Sequence, residues 1–390
     1  MHTVCLGVTK LLLQLWTSKE HKTKPWYIGD HINEIDDQLL LLKPPNSITR
    51  TPRSIEGNLR HWKASELRSW LLHYGLVCVK GLLPDRYYDH FLLLVCGVYN
   101  LVRDSISGSA LKESVRCLKH FCLMIDSLYG ARYLTINSHL LLHAAESVRQ
   151  LGPLWSSSCF SFEDYNGELT RLFHGTQHVA TQINASVCFI QASASHPDIF
   201  SDADAKKLFE EMSVKRPINL KFNLGVDTYS LGMSKSTKVA NLSRIAKLAL
   251  QEVLSIGNMF DRIVVFSRIC KSGSVYHSRS YNRPAKRNSY TVLFSVPLQN
   301  YSSFGQVEYY VKVANDLDDN STHTYAMVKP FVLHSIIKNR FVRCHIHRVE
   351  PVEDELVAIP IQNITRKCVY MLTRSNEHFV SPLPNNYECD

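Results

Sequence analysis

The densest run of chemically capable side chains lies between residues 137 and 178, NSHLLLHAAESVRQLGPLWSSSCFSFEDYNGELTRLFHGTQH. His139 and His143 stand four apart, as do His174 and His178. On a helix each pair shares a face, the spacing at which two imidazoles can grip one divalent cation. Between the pairs, Glu163 follows Phe160 and Phe162 near an expected helix start. A carboxylate there could offer oxygen to Mg²⁺ or Mn²⁺, the metals of phosphoryl transfer. Plainer readings compete. With 18 histidines in the chain, an i, i+4 pair is expected by chance, and packed or hydrogen-bonded histidines need no metal. Glu163 would equally complement the positive end of a helix dipole.

A second constellation is cationic. Arg262, Arg268, Lys271, Arg279, Arg283, Lys286 and Arg287 crowd one stretch, interleaved with Tyr276, Tyr281 and Tyr290. Cations pair with phosphates and rings stack on exposed bases, so this pattern suits a nucleic-acid surface; solvated loop and edge cations would look the same. Pro284-Ala285-Lys286-Arg287 is a short hint of nuclear import. No Gly-rich phosphate loop, GxSxG elbow or HExxH string occurs, which leaves acyl-transfer and P-loop chemistry without a basis.

These residues need elements to hold them. Leu6, Leu11, Leu12, Leu15 and Trp16 recur at helical spacing, Trp62, Leu67, Trp70 and Leu71 mark a stripe on a second helical stretch, and Pro84 suits the start of a third. Further helices are expected over Ala110–Tyr129 and Asn137–Gln150, the latter ended by Gly152-Pro153. Residues 191–260 are more polar and read as a linker with short helices at Asp204–Met212 and Leu242–Leu254. Beyond 261 the period becomes two, as in Val307, Tyr309, Val311 and Val313. Similar runs recur at Ile263–Phe266, Tyr290–Val296, Tyr325–Val328, Cys344–Val349, Leu356–Ile361 and Cys368–Leu372. The expected fold class is therefore α+β, with a mainly helical region 1–190, a linker 191–260 and a small antiparallel β domain 261–390.

Composition bounds the answer. A chain of 390 residues with 45% apolar and 20% charged residues is globular in balance. Eleven unpaired-looking cysteines without a CxxC point to reduced thiols and an intracellular protein. The most apolar run, Phe91–Tyr99, is about half the ~20 residues a spanning helix needs, so no membrane partner is expected. The charge of +9 fits phosphate contact if its cations cluster and aids solubility if they do not.

The ordered strings MHTVCLGVTKLLLQLW, PPNSITRTPRSIEGNLRHWKASELRSWLLHYGLVCVKGLLPDRYYDHFLLL and YLTINSHLLLHAAESVRQLGPLWSSSCFSFEDYNGELTRLFHGT, with a weaker IPIQNITRKCVYM, resemble the C-terminal half of the transposases of CACTA (En/Spm-like) DNA transposons. The resemblance is strong over residues 1–190 and loose beyond. It implies a ribonuclease-H-like core in which two Asp and one Glu hold a pair of Mg²⁺ or Mn²⁺ ions. The third acid falls on Glu163. In the family an aspartate stands two residues before the Met-His string; here that Met is Met1, so this acid and the one further upstream have no counterpart. His2 matches the histidine of that string, and His139 and His143 match a histidine pair.

One acid cannot cage two divalent ions about 3.5–4 Å apart. The resemblance therefore implies a truncated, transposase-derived chain, not an enzyme by itself, with Glu163 a vestigial ligand joined at most by His2, His139 or His143. No bound metal is expected on the chain alone. The helical faces that should meet the missing sheet would lie exposed, which implies instability, a protein partner or the missing transposase half. DNA is the other expected partner, in the nucleus. Two alternatives stay open: a domesticated nucleic-acid or chromatin-binding module built on the cations at 262–287, and a structural domain stabilised by zinc on His139, His143, His174 or His178.

Overall fold

The computed structural model describes residues 2–195, 220–254, 262–281, 283–296, 301–313 and 323–387, with positions 202 and 204. Contacts divide the chain into two compact units, Met1–Ser157 with Leu220–Asp390, and Ser158–Asn219. The sequence reading set its junctions at 190 and 260; the contacts set theirs after 157 and 219.

In the first unit a π-helical turn, Thr3–Thr9, runs into α1, Lys10–Thr17, which buries Leu12, Leu15 and Trp16. α2 spans Ile32–Leu40. The long helix expected after Trp62 is broken into α3, Ala64–Ser69, a π-helical turn at Trp70–Tyr74, and α4, Gly75–Cys78. All five residues of that turn, WLLHY, are buried, so the segment serves a core on every side and not a single stripe. Pro84 caps α5, Asp85–Leu101, where its missing N–H is harmless. α6, Gly108–Tyr129, starts at Ser107, whose hydroxyl accepts from the Ala110 N–H. It packs on α5 at Gly97, where a Cβ would lie 2.8 Å from Leu118 Cδ2. The helix expected over 137–150 is two, α7, Ile136–Leu141, and α8, Ala144–Leu151.

Strands begin earlier than the sequence suggested. The expected linker holds β1, Leu220–Gly225, β2, Thr228–Leu231, and β3, Ser234–Lys238, before the helix α11, Arg244–Val253. Short polar strands such as SKSTK lack the apolar alternation that announces a strand, and pairing with a neighbour decides them instead. The helix expected at Asp204–Met212 lies outside the described residues. Then come β4 Arg262–Phe266, β5 Arg268–Lys271, β6 Ser274–His277, β7 Thr291–Ser295, β8 Ser302–Val313, β9 His323–Lys338, β10 Arg343–Pro351, β11 Val357–Pro360, β12 Ile364–Leu372 and β13 His378–Pro382.

Every described pairing is antiparallel. β9, β10, β13, β12, β7 and β8 follow one another, and β8 pairs back on β9. The ring is closed, which removes free edges from these strands. The long β9 makes closure feasible: Val328 and residues before it pair with β8 and β11, while Phe331 to Lys338 pair with β10. β1, β2, β5 and β6 form a separate four-stranded sheet.

The period of two sorts side chains between cores. On β12 and β13, Cys368 and Val380 join Phe304, Phe331 and Val349 in one cluster. Their neighbours Val369, Met371 and Phe379 turn the other way, into the helical core with Val342, Cys344, Ile346 and Leu383. The expected exposure of the helical faces for want of a sheet is thus corrected in part: β10, β12 and β13 cover one side of the helical core, while Leu123, Leu134 and Leu142 on the α6–α7 side stay exposed. Polar contacts fasten the seam. His73 Nδ1 lies 2.6 Å from Ser381 Oγ, Tyr99 Oη donates to Pro382 O (3.1 Å), and His345 stacks on Tyr99 with centroids 3.3 Å apart.

The second unit shows α9, Phe160–Thr170, and α10, Val179–Ser195, joined by a loop. The Ser186 hydroxyl donates to Leu172 O (3.2 Å).

Candidate functional site

Glu163 sits in the first turn of α9 with its side chain exposed, a position that suits a carboxylate at the positive end of a helix. His174 and His178 do not share a helix face. Both are exposed in the loop after α9, His178 at φ 52°, a left-handed conformation outside any helix, and no hydrogen bond or ring contact joins them. His2 is exposed at the N-cap of the first π-helical turn.

His139 and His143 are brought together, although by a helix end and not one continuous helix. His139 belongs to α7 and His143 caps α8. Their Nε2 atoms are 3.3 Å apart, close to the separation of two nitrogens each about 2.1 Å from one tetrahedral ion. A proton shared between the rings explains the same distance. Among the described residues no three His, Cys, Asp or Glu side chains form a group able to hold an ion. The described residues therefore do not assemble the donor set that a paired Mg²⁺ or Mn²⁺ centre or a closed zinc site needs. The described cysteines are all free thiols, most of them buried.

The cations at 262–287 are mostly turned on the protein itself. Lys271 Nζ donates to the carbonyls of Ile361 (3.0 Å), Gln362 (3.0 Å) and Ile364 (2.5 Å), and burial pulls its pKa below the usual lysine value. Arg268 lies 4.4 Å over the Tyr281 ring, and Arg279 pairs with Glu308 at 3.2 Å. Arg287 donates to the carbonyls of Pro45, Ile48 and Thr49, tying the Pro44-Pro45 loop to the β-region. Beside it the buried Lys367 reaches Asn46 Oδ1 (2.8 Å), Ser47 Oγ (3.0 Å) and Ser274 Oγ (2.7 Å). Arg262 is exposed and donates to Ser236 Oγ (3.2 Å). Arg283 and Lys286 are exposed. The structure thus does not gather the seven into one open face.

A different cationic place was missed. A cleft of ≈ 480 Å³ runs between the end of α5 and strands β10 and β12, lined among others by Arg103, Arg343, His345 and Arg366. Arg366 is held by Asp104 at 2.6 Å. Arg103 and Arg343 make no side-chain hydrogen bond or ion pair among the described residues. Arg343 also lines a neighbouring cleft of ≈ 540 Å³ with Lys338, Arg340 and Glu113. These residues come from distant stretches of sequence, so no local motif could have announced them.

Elsewhere an apolar groove of ≈ 520 Å³ between α6 and α7 is rimmed by the exposed Leu123, Leu134 and Leu142. Among the described residues no helix is long and apolar enough to cross a membrane. No family model, curated protein or solved structure matches the chain.

Proposed function

We propose that this chain is transposase-derived and that its residues bind DNA without cutting it. The proposal carries forward the resemblance over residues 1–190 and its ribonuclease-H-like ancestry, of which Glu163 and the α9 that bears it would be a vestige. The observation that supports it is the donor inventory: among the described residues, no three metal-ligating side chains converge. Among these residues no such group offsets the repulsion between two adjacent divalent ions or stabilises in-line attack on a phosphodiester. The net charge of +9 favours association with a phosphate backbone, and nuclear placement belongs to the same reading.

A nicking and strand-transfer assay on supercoiled plasmid with Mn²⁺ tests it, run beside a binding assay on duplex DNA. The expected result is binding with no cleavage above the protein-free control. Cleavage by the wild-type chain that Glu163→Gln abolishes would overturn the proposal.

A further inference from the structure

We infer that the twin clefts meeting at Arg343 form a track for the phosphate backbone of duplex DNA; the inference rests on the DNA-binding reading above and gives that reading its surface. Arg103, just past α5, and Arg343, at the start of β10, face one cleft without an acidic partner among the described residues, beside Arg366 on β12. Across Arg343 the second cleft adds Lys338 and Arg340, whose guanidinium lies 4.5 Å over the Phe341 ring. Arg116 donates to Phe341 O at 2.8 Å on the same flank. Against these six cations stand Asp104, already bound to Arg366, and Glu113, 3.8 Å from Arg116 and accepting from Asn100 at 3.2 Å.

Unpartnered guanidiniums in concave surface are costly unless an anion visits them, because low-dielectric walls magnify their mutual repulsion. Their planar forks fit phosphate oxygens two at a time. Two adjoining clefts sharing one arginine suit an anion that repeats along a line, as a nucleic-acid backbone does, better than a single small phosphate. Among the described residues lining the two clefts, Tyr99 and His345 stack on each other and Phe341 is half-buried under Arg340, so these rings are already occupied and not offered to a splayed base. The track therefore reads backbone and not sequence.

The test measures binding of a fluorescein-labelled duplex to the full chain from 50 to 250 mM KCl. Arg103→Ala/Arg343→Ala is compared with the control pair Arg283→Ala/Lys286→Ala, circular dichroism confirming that both fold. The cleft pair is expected to weaken binding at least tenfold at 50 mM KCl. It should also flatten the slope of log K against log salt by about 1.8, roughly 0.9 for each lost phosphate contact. The control pair should change the slope by less than half as much, and Arg103→Lys/Arg343→Lys should restore it. The inference falls if the cleft pair leaves affinity and slope unchanged while the wild type binds. It falls equally if the control pair accounts for the loss, or if the cleft pair weakens binding of polyglutamate or inorganic phosphate but not of duplex. A wild type that binds no duplex at 50 mM KCl sinks the DNA-binding reading as well, whereas Glu163-dependent cleavage sinks that reading alone.

Discussion

Two basic regions of this molecule look alike as composition and differ in what their charges do. Between 262 and 287 the cations serve as internal fasteners: Lys271 collects three carbonyls of the β11–β12 connection, and Arg287 holds the 45–49 loop. Around Arg343 the cations stand on cleft walls, and two of the three lining the first cleft have no counter-ion among the described residues. A lysine surrounded by carbonyl oxygens is structure; an arginine facing empty space is an invitation. The difference lies in neighbours and not in residue type, so a charge count cannot distinguish them.

Acid pushes hardest on that difference, because it adds charge to places already organised around buried groups. His277, within the inward-tied region, is held below its ordinary pKa by burial first and then by Lys367 and Arg268. In the helical core burial pushes His90 down to about 4, outweighing its bond to Phe121 O, and lowers His73 well below its usual value. Such groups are neutral when folded and take up protons when unfolded, so they cost nothing above about pH 6.5 and progressively more below it. Urea unfolding should show stability falling steadily from pH 7 toward pH 4, with His90 alone contributing roughly 3 kcal/mol. His90→Gln should flatten that limb; an unchanged pH dependence would contradict the assignment.

Next in size, Arg287→Ala should cost roughly 2 kcal/mol at pH 7, since it strands the carbonyls of the 45–49 loop. Chemical denaturation reads this, and a loss under about 0.5 kcal/mol would mean the residue is an ordinary surface cation. The smallest expected effect is the most diagnostic. Arg103→Ala and Arg343→Ala should each shift unfolding by less than about 0.5 kcal/mol, because neither makes a bond to lose. A large destabilisation there would erase the contrast between the two regions.

Much of the architecture was legible. Period-two runs such as Val307 to Val313 and Cys368 to Leu372 became β8 and β12, and Pro84 began α5 as its locked φ allows. What escaped was decided by pairing across long separations. β3 is a polar strand because β4 lies beside it, from Ser234 opposite Phe266 to Lys238 opposite Arg262. The His139–His143 approach was legible from spacing, although the helix break at Leu142 was not. For the cations, spacing carried no information about partners: Lys271 finds its carbonyls some ninety residues away, and Arg287 finds its own about 240 away. The Arg103–Arg343–Arg366 cleft is assembled from three elements and has no linear signature.

The strands that cover part of the helical core stand far from it along the chain. Gln38 Nε2 donates to Leu372 O across 334 residues, and His73 waits for Ser381 across 308. Elements up to α8 are synthesised long before β12 and β13, whose Val369, Met371 and Phe379 complete the same core. Loop closure over such distances is slow, and apolar surface that waits is apolar surface that sticks. A helical core covered by strands so distant in sequence is expected to fold slowly and to present apolar surface until those strands dock.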